Sequence, residues 1–153
     1  MKFIGPMKKL SKAQPVAIVI FYDQEGNILV QDRSEKTDAL YKFGFFGGKI
    51  KDFESPKQAI VREIKEELNI DLENFSFWQK TNYQVLDPGP FYGLKFIKSV
   101  FLAPLTPEIL AAQVFEGKKV VLKLPEALSD QGFSYHNKDL LGQLQSLIIN
   151  KSK

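Results

Sequence analysis

A chain of 153 residues with 44% hydrophobic and 25% charged residues has the size and composition of one ordinary globular domain. The net charge is only +3 and the basic residues alternate with acids, so the pI near 9.0 carries no clustered nucleic-acid footprint. Cysteine is absent, which excludes a disulfide framework, a thiol nucleophile and a thiolate zinc site.

Residues 1–14 read as a flexible basic leader, in which Lys8, Lys9 and Lys12 are solvated. Met1–Leu10 has no sustained apolar run, so neither a signal peptide nor a membrane span is expected, and the reading is a soluble cytoplasmic protein. A single domain is expected over 15–150. The apolar runs Val16–Tyr22 and Ile28–Gln31, separated by the turn residues Asp23–Asn27, predict a hairpin. Phe43–Phe46 lead to Gly47-Gly48, read as a flexible point where backbone can approach closely, and Ile50 is expected to resume a short strand. Ser55 before Pro56 starts a helix whose buried face is Ile60, Ile64 and Leu68.

Phe75–Leu86 and Phe91–Leu102 read as strands on either side of an Asp87-Pro88-Gly89-Pro90 turn, and Lys119–Leu124 as another short one. A last helix is expected from Asn137 to Asn150, since Leu140, Leu141, Leu144, Leu147 and Ile148 share one face. Strands mixed with two helices indicate an α+β or α/β sandwich.

The chemistry lies in the first helix. Glu63 and Glu67 are one turn apart with Glu66 beside them, so like charges crowd together at a cost of roughly 0.2–0.5 kcal/mol per exposed pair. A hard divalent cation converts that repulsion into binding, and oxygen ligands without sulfur point to Mg²⁺, with Mn²⁺ able to substitute. The alternative is a solvated amphipathic helix in which Lys57, Arg62 and Lys65 neutralise the acids. The preceding residues favour the cation. Gly47-Gly48 offers carbonyls for a metal shell, and Glu54 can pair with Arg62 across the helix start.

Gly48, five residues, Glu54, seven residues and then Arg62-Glu63-Ile64-Lys65-Glu66-Glu67-Leu68-Asn69-Ile70 closely resembles the Nudix box, of the MutT-like kind. Every fixed charged position is filled, and the departure is Asn69 in place of glycine, a residue that tolerates the left-handed conformation ending a helix. The resemblance implies an α/β/α sandwich with a central mixed β-sheet. It implies divalent metal on Glu63, Glu66, Glu67 and the Gly47 carbonyl, with Arg62 and Glu54 holding loop and helix together. It implies hydrolysis of a phosphoanhydride bond, with the general base at Glu63 or Glu66, or outside the box at Glu116, since Phe115-Glu116-Gly117 is similar to a Glu-Gly segment of many relatives. Glu108 and Glu126 are weaker candidates, Glu126 reading as an early-helix acid.

The expected substrate is a nucleotide, with nucleic acid and membrane not expected as partners and a monomer or homodimer as the assembly. Phe46-Gly47-Gly48-Lys49 is similar to relatives that act on oxidised purine nucleoside triphosphates, which favours a nucleoside triphosphate going to monophosphate and pyrophosphate. ADP-ribose, a nucleotide sugar and, further off, an RNA cap are alternatives. A non-catalytic nucleotide-binding module is the rival class, usually attached to a second domain for which this length leaves no room. Phe43, Phe45, Phe77, Trp78, Tyr83, Phe91 and Tyr92 are available to a base pocket, though most are expected in the core. His136, the lone histidine, reads as a surface or capping residue.

Overall fold

In the computed structural model, residues 12–35, 41–115 and 117–151 are described. Among them run strands β1 (Gln14–Tyr22), β2 (Asn27–Asp32), β3 (Phe43–Gly44) and β4 (Phe46–Lys49), helix α1 (Pro56–Leu68), strands β5 (Ser76–Gln84) and β6 (Lys95–Pro104), helix α2 (Pro107–Ala111), strand β7 (Lys118–Lys123) and helices α3 (Leu124–Ser129) and α4 (Tyr135–Lys151). The sheet order is β3-β2-β1-β6-β5, with β4 added to β1 and β7 to β2. The β1–β6 pair is parallel and the others are antiparallel, so the sheet is mixed.

Alternation along β1 sends its side chains to two cores. Ile18 and Ile20 pack with Val100, Leu102 and the Leu140, Leu141, Leu144 and Ile148 face of α4. Ala17, Val19 and Phe21 pack with Phe46 and the Ala59, Ile60 and Ile64 face of α1. The two long helices therefore cover opposite faces of one sheet, as the α/β/α sandwich requires.

The hairpin is present, but β1 meets β2 only at Phe21↔Leu29 and Tyr22↔Ile28; its earlier half, Val16 to Val19, pairs with β4. Gly47 and Gly48 lie inside a strand, opposite Ile18 and Ala17, and make the expected close backbone approach from there. Ile50 resumes no strand. β6 starts at Lys95 rather than Phe91, since Gly93 takes a positive φ and Gly93 N–H donates back to Val85 O at 2.8 Å, closing a longer turn. Helix α2 was not foreseen, whereas Glu126, read as an early-helix acid, does stand in the first turn of α3. The Thr106-Pro107-Glu108 order is a cap, first-turn proline and dipole-favoured acid, a signal that was available, and Leu124 opens α3 instead of ending β7. Of the expected leader, residues 1–11 lie outside the described residues, and Gln14 already belongs to β1. No helix among the described residues is long and apolar enough to cross a membrane.

Candidate metal-binding and catalytic site

Helix α1 is fixed at both ends by local chemistry. Ser55 Oγ accepts from Gln58 N–H at 3.1 Å while the Gln58 side chain accepts from Ser55 N–H at 2.8 Å, a reciprocal cap with Pro56 at the first helical position. Asn69 stops the helix in the left-handed conformation, φ 54°, and its N–H bonds Lys65 O. Between these ends the Ile60, Ile64 and Leu68 stripe docks on the sheet and sets the rotation of the acids.

Arg62 organises those acids. Its Nε donates to Glu54 Oε2 at 2.7 Å, and Nη2 donates to Glu54 Oε1 at 2.8 Å and to Lys49 O at 2.9 Å. Nη1 donates to Glu63 Oε1 at 2.8 Å and Glu66 Oε2 at 3.4 Å. Those contacts match the five N–H donors of a guanidinium, and the fork on Glu54 is bidentate. Arg62 therefore stitches the end of β4, the loop acid Glu54 and the helix into one unit. The Arg62 hydrogen bond holds the Glu54 carboxyl down at about 2, and the Glu54 carboxylate pushes Arg62 up from its ordinary value. Lysines do not share this work. Lys65 pairs with Asp71 at 3.2 Å and Lys57 lies over the Phe75 ring, so the solvated-helix reading loses two of its three neutralising cations.

Glu67 sits apart from its neighbours. Only 3% exposed, it turns to the sheet, where Oε1 accepts from Gly47 N–H at 2.8 Å. Both glycines are needed for this approach. Gly47 has φ 142°, and a Cβ there would lie 2.1 Å from Ala17 O; a Cβ on Gly48 would lie 2.5 Å from the Glu63 carboxyl carbon. The contact from Gly47 to the acids is thus made by its N–H.

A hard divalent cation fits this donor set. The Glu63 carboxylate faces a position kept clear of a side chain at Gly48, and Glu54, Glu63, Glu66 and Glu67 outnumber the one guanidinium among them. No three acidic or histidine side chains among the described residues form a ready-made cage. Glu116 lies outside the described residues. Glu108 and Glu126 fall in the first turns of α2 and α3.

Sequence reasoning missed a second polar group, on the opposite face of the sheet. Lys98 on β6 is 4% exposed and donates from Nζ to Asn137 Oδ1 at 3.2 Å on α4. His136, expected as a surface or capping residue, lies half-buried in the first turn of α4 and stacks on Tyr83 with ring centroids 4.7 Å apart. A lysine flanked by Ile97 and Ser99 in a strand gives no warning in sequence that it faces inward.

The NUDIX domain family model matches residues 12–139. The chain is 36% identical over 81 residues to the 8-oxo-dGTP diphosphatase of Escherichia coli (strain K12), a match covering 53% of this chain and 60% of that protein. It is 41% identical over 56 residues to the CTP pyrophosphohydrolase of the same organism, covering 37% of this chain and 40% of that one. These curated relatives are thus matched over 60% of their length or less. The solution structure of the E. coli ORF135 protein superposes with a TM-score of 0.67 at 25% identity, covering 94% of this chain and 95% of that chain.

Proposed function

The chain belongs to the NUDIX domain family, and on that premise we propose that it hydrolyses a phosphoanhydride bond in a nucleoside diphosphate-linked compound, a nucleoside triphosphate going to monophosphate and pyrophosphate. The observation that carries this reading is the Arg62 lock, which spends a whole guanidinium on fixing Glu54, Glu63 and Glu66 beside the buried Glu67. A stability role alone does not call for so many acids in one place. Relatives named for 8-oxo-dGTP and for CTP support the triphosphate class.

Divalent metals serve this family generally, and Mg²⁺ is the ion proposed here, held by Glu63, Glu66, Glu67 and the Gly47 backbone. Bound Mg²⁺ would polarise the phosphate oxygens and acidify a water near neutral pH. The chain's own residues do the remainder. Gly47 N–H fixes the Glu67 carboxylate, so its charge is in place before substrate arrives. Arg62 holds Glu63 and keeps Glu54 ionised. Glu66, with a side chain 56% exposed and a long 3.4 Å contact, is free to swing and accept a proton from the attacking water, as Glu63 or Glu116 would be if the base lies there. The water oxygen bonds to phosphorus as the bond to the departing pyrophosphate breaks, and the proton passes to the base.

The test is incubation with Mg²⁺ and a panel of nucleoside triphosphates, oxidised dGTP, ADP-ribose and sugar nucleotides, with products separated by anion exchange. Monophosphate plus pyrophosphate from a triphosphate is the expected result. Turnover confined to ADP-ribose or a sugar nucleotide would move the substrate class, and nucleotide binding without any turnover would make the chain a binding module.

A further inference from the structure

Lys119 directs its charge at backbone. From β7, where it stands opposite Gln31 of β2, its Nζ donates to Leu110 O and, at 2.6 Å, to Ala112 O, the carbonyls at the C-terminal end of α2. Helix α2 has five residues, too few to pair its last carbonyls internally, and an ammonium at that end satisfies them and meets the negative end of the dipole. The helix is fixed at its other end by Thr106 Oγ1, which accepts from Ile109 N–H at 3.2 Å, and Ile109 is buried in the α1-side core. Lys119 therefore ties an edge strand to a helix that is itself anchored.

Residues 112–115, which leave that helix, pass the C-terminal end of α1. Ala112 and Val114 pack on the α1-side core, and Phe115 N–H donates to Glu67 O at 2.9 Å. Glu67 lies in the last turn of α1, where carbonyls have no donor within the helix; Asn69 N–H serves Lys65 O, and Phe115 N–H serves Glu67 O. Glu67 is thus held twice, its carboxylate by Gly47 N–H at 2.8 Å and its backbone by Phe115. The first contact comes from β4. The second comes from a segment that the Lys119 contact fastens at the end of α2. A carboxylate that must meet a metal is effective only within about 0.5 Å of its place, so the backbone contact matters as much as the side-chain one.

We propose that Lys119 is a positioning residue for Glu67: by tying β7 to α2 it holds residues 112–115 against the last turn of α1, and so holds the buried carboxylate where the metal is bound. The inference rests on the metal-dependent hydrolase reading above. A lysine at this place could serve stability alone, and the two roles differ in where its loss is felt. Without the ammonium the α2 carbonyls turn to water, so the fold persists in either case. In a purely stabilising role the Gly47 and Phe115 amides stay bonded to Glu67. In a positioning role both lose protection together, although Gly47 lies on β4, outside the segment that Lys119 touches.

The experiment compares wild type with Lys119→Met, which keeps most of the bulk and removes the ammonium, and Lys119→Arg, which keeps the donors; Lys119→Gln replaces the Met variant if that one does not fold. Amide hydrogen exchange of the metal-free protein is read by NMR at Gly47 and Phe115, with the amides of the β1–β6 pair as the measure of whole-fold loosening. Mn²⁺ binding is followed by calorimetry without nucleotide. The expected result in Lys119→Met is protection at Gly47 and Phe115 lower by about tenfold or more with the β1–β6 amides unchanged, Mn²⁺ bound about tenfold more weakly, and both restored in Lys119→Arg. With a triphosphate, kcat should fall by about the same factor with little change in KM. Unchanged protection at Gly47, or an equal loss across the β1–β6 pair, overturns the proposal. If wild type neither binds Mn²⁺ nor hydrolyses anything, the hydrolase reading fails by itself, and the exchange arm still decides whether Lys119 positions Glu67.

Discussion

Phe115 N–H donates to the Glu67 carbonyl at 2.9 Å, while the Glu67 side chain accepts from Gly47. One buried glutamate thereby ties β4, the C-terminal end of α1 and the segment before β7 together. The same segment is anchored on its other side, where Gly117 takes φ 75° with space for no Cβ against Asp32 O, and Lys119 Nζ donates to Ala112 O at 2.6 Å. Glu116→Gln is expected to lower kcat about tenfold or more with an unchanged melting temperature, as loss of a general base does. A kcat near wild type removes Glu116 from the mechanism.

The Glu54–Arg62 pair predicts a specific acid limb. The folded-state carboxyl sits at about 2 against 4.5 in an unfolded chain, so its contribution is complete above about 4.5 and disappears as the pH falls toward 2. Denaturation curves between pH 5 and 2.5 should lose stability more steeply for wild type than for Glu54→Gln. Parallel curves would show that the bidentate contact is not formed in solution.

Phe53 adopts φ 67° with its side chain fully exposed, immediately before Glu54. A left-handed non-glycine residue costs about 1–2 kcal/mol, and here no packing offsets it. Phe53→Gly should raise stability by up to about 1 kcal/mol after the added unfolded-state entropy, a few degrees in Tm by calorimetry. A lower Tm would mean that Phe53 makes contacts the structure does not show.

Lys98 predicts a trend of the same sign in the alkaline range. Its folded value of about 7 lies below the usual 10.5, so the unfolded chain holds the proton over that interval. The cost of burying the charge is complete below pH 7 and is relieved as the pH rises toward 10.5. Wild type should therefore gain stability between pH 7 and 10 relative to Lys98→Met, which should be the more stable protein at pH 6. Identical slopes would show the ammonium reaching solvent.

Much of this was legible before any coordinates. The Ser55-Pro56 start, the Ile60, Ile64 and Leu68 stripe and the terminal leucine face are periodic local signals, and α1 and α4 formed where they pointed. Asn69 accepted the left-handed stop as its side-chain chemistry allows. The Glu54–Arg62 pair was readable because both charges flank one helix start. Long-range pairing was not readable: β4 joins β1 through residues about 30 positions apart in the chain, and nothing local specifies that two glycines extend rather than bend. Lys98 and Asn137, brought together by β6 and α4, share the same difficulty.

The most direct test of the account is the turnover of Glu67→Gln against wild type with Mg²⁺ and the best triphosphate of the panel. The amide oxygen can still accept from Gly47 N–H, so the fold is kept while the buried negative charge is lost. The account predicts a melting temperature close to wild type and a kcat lowered about a hundredfold or more. A folded Glu67→Gln with wild-type kcat would contradict it, because the carboxylate at the centre of the proposed metal site would then have no part in the chemistry.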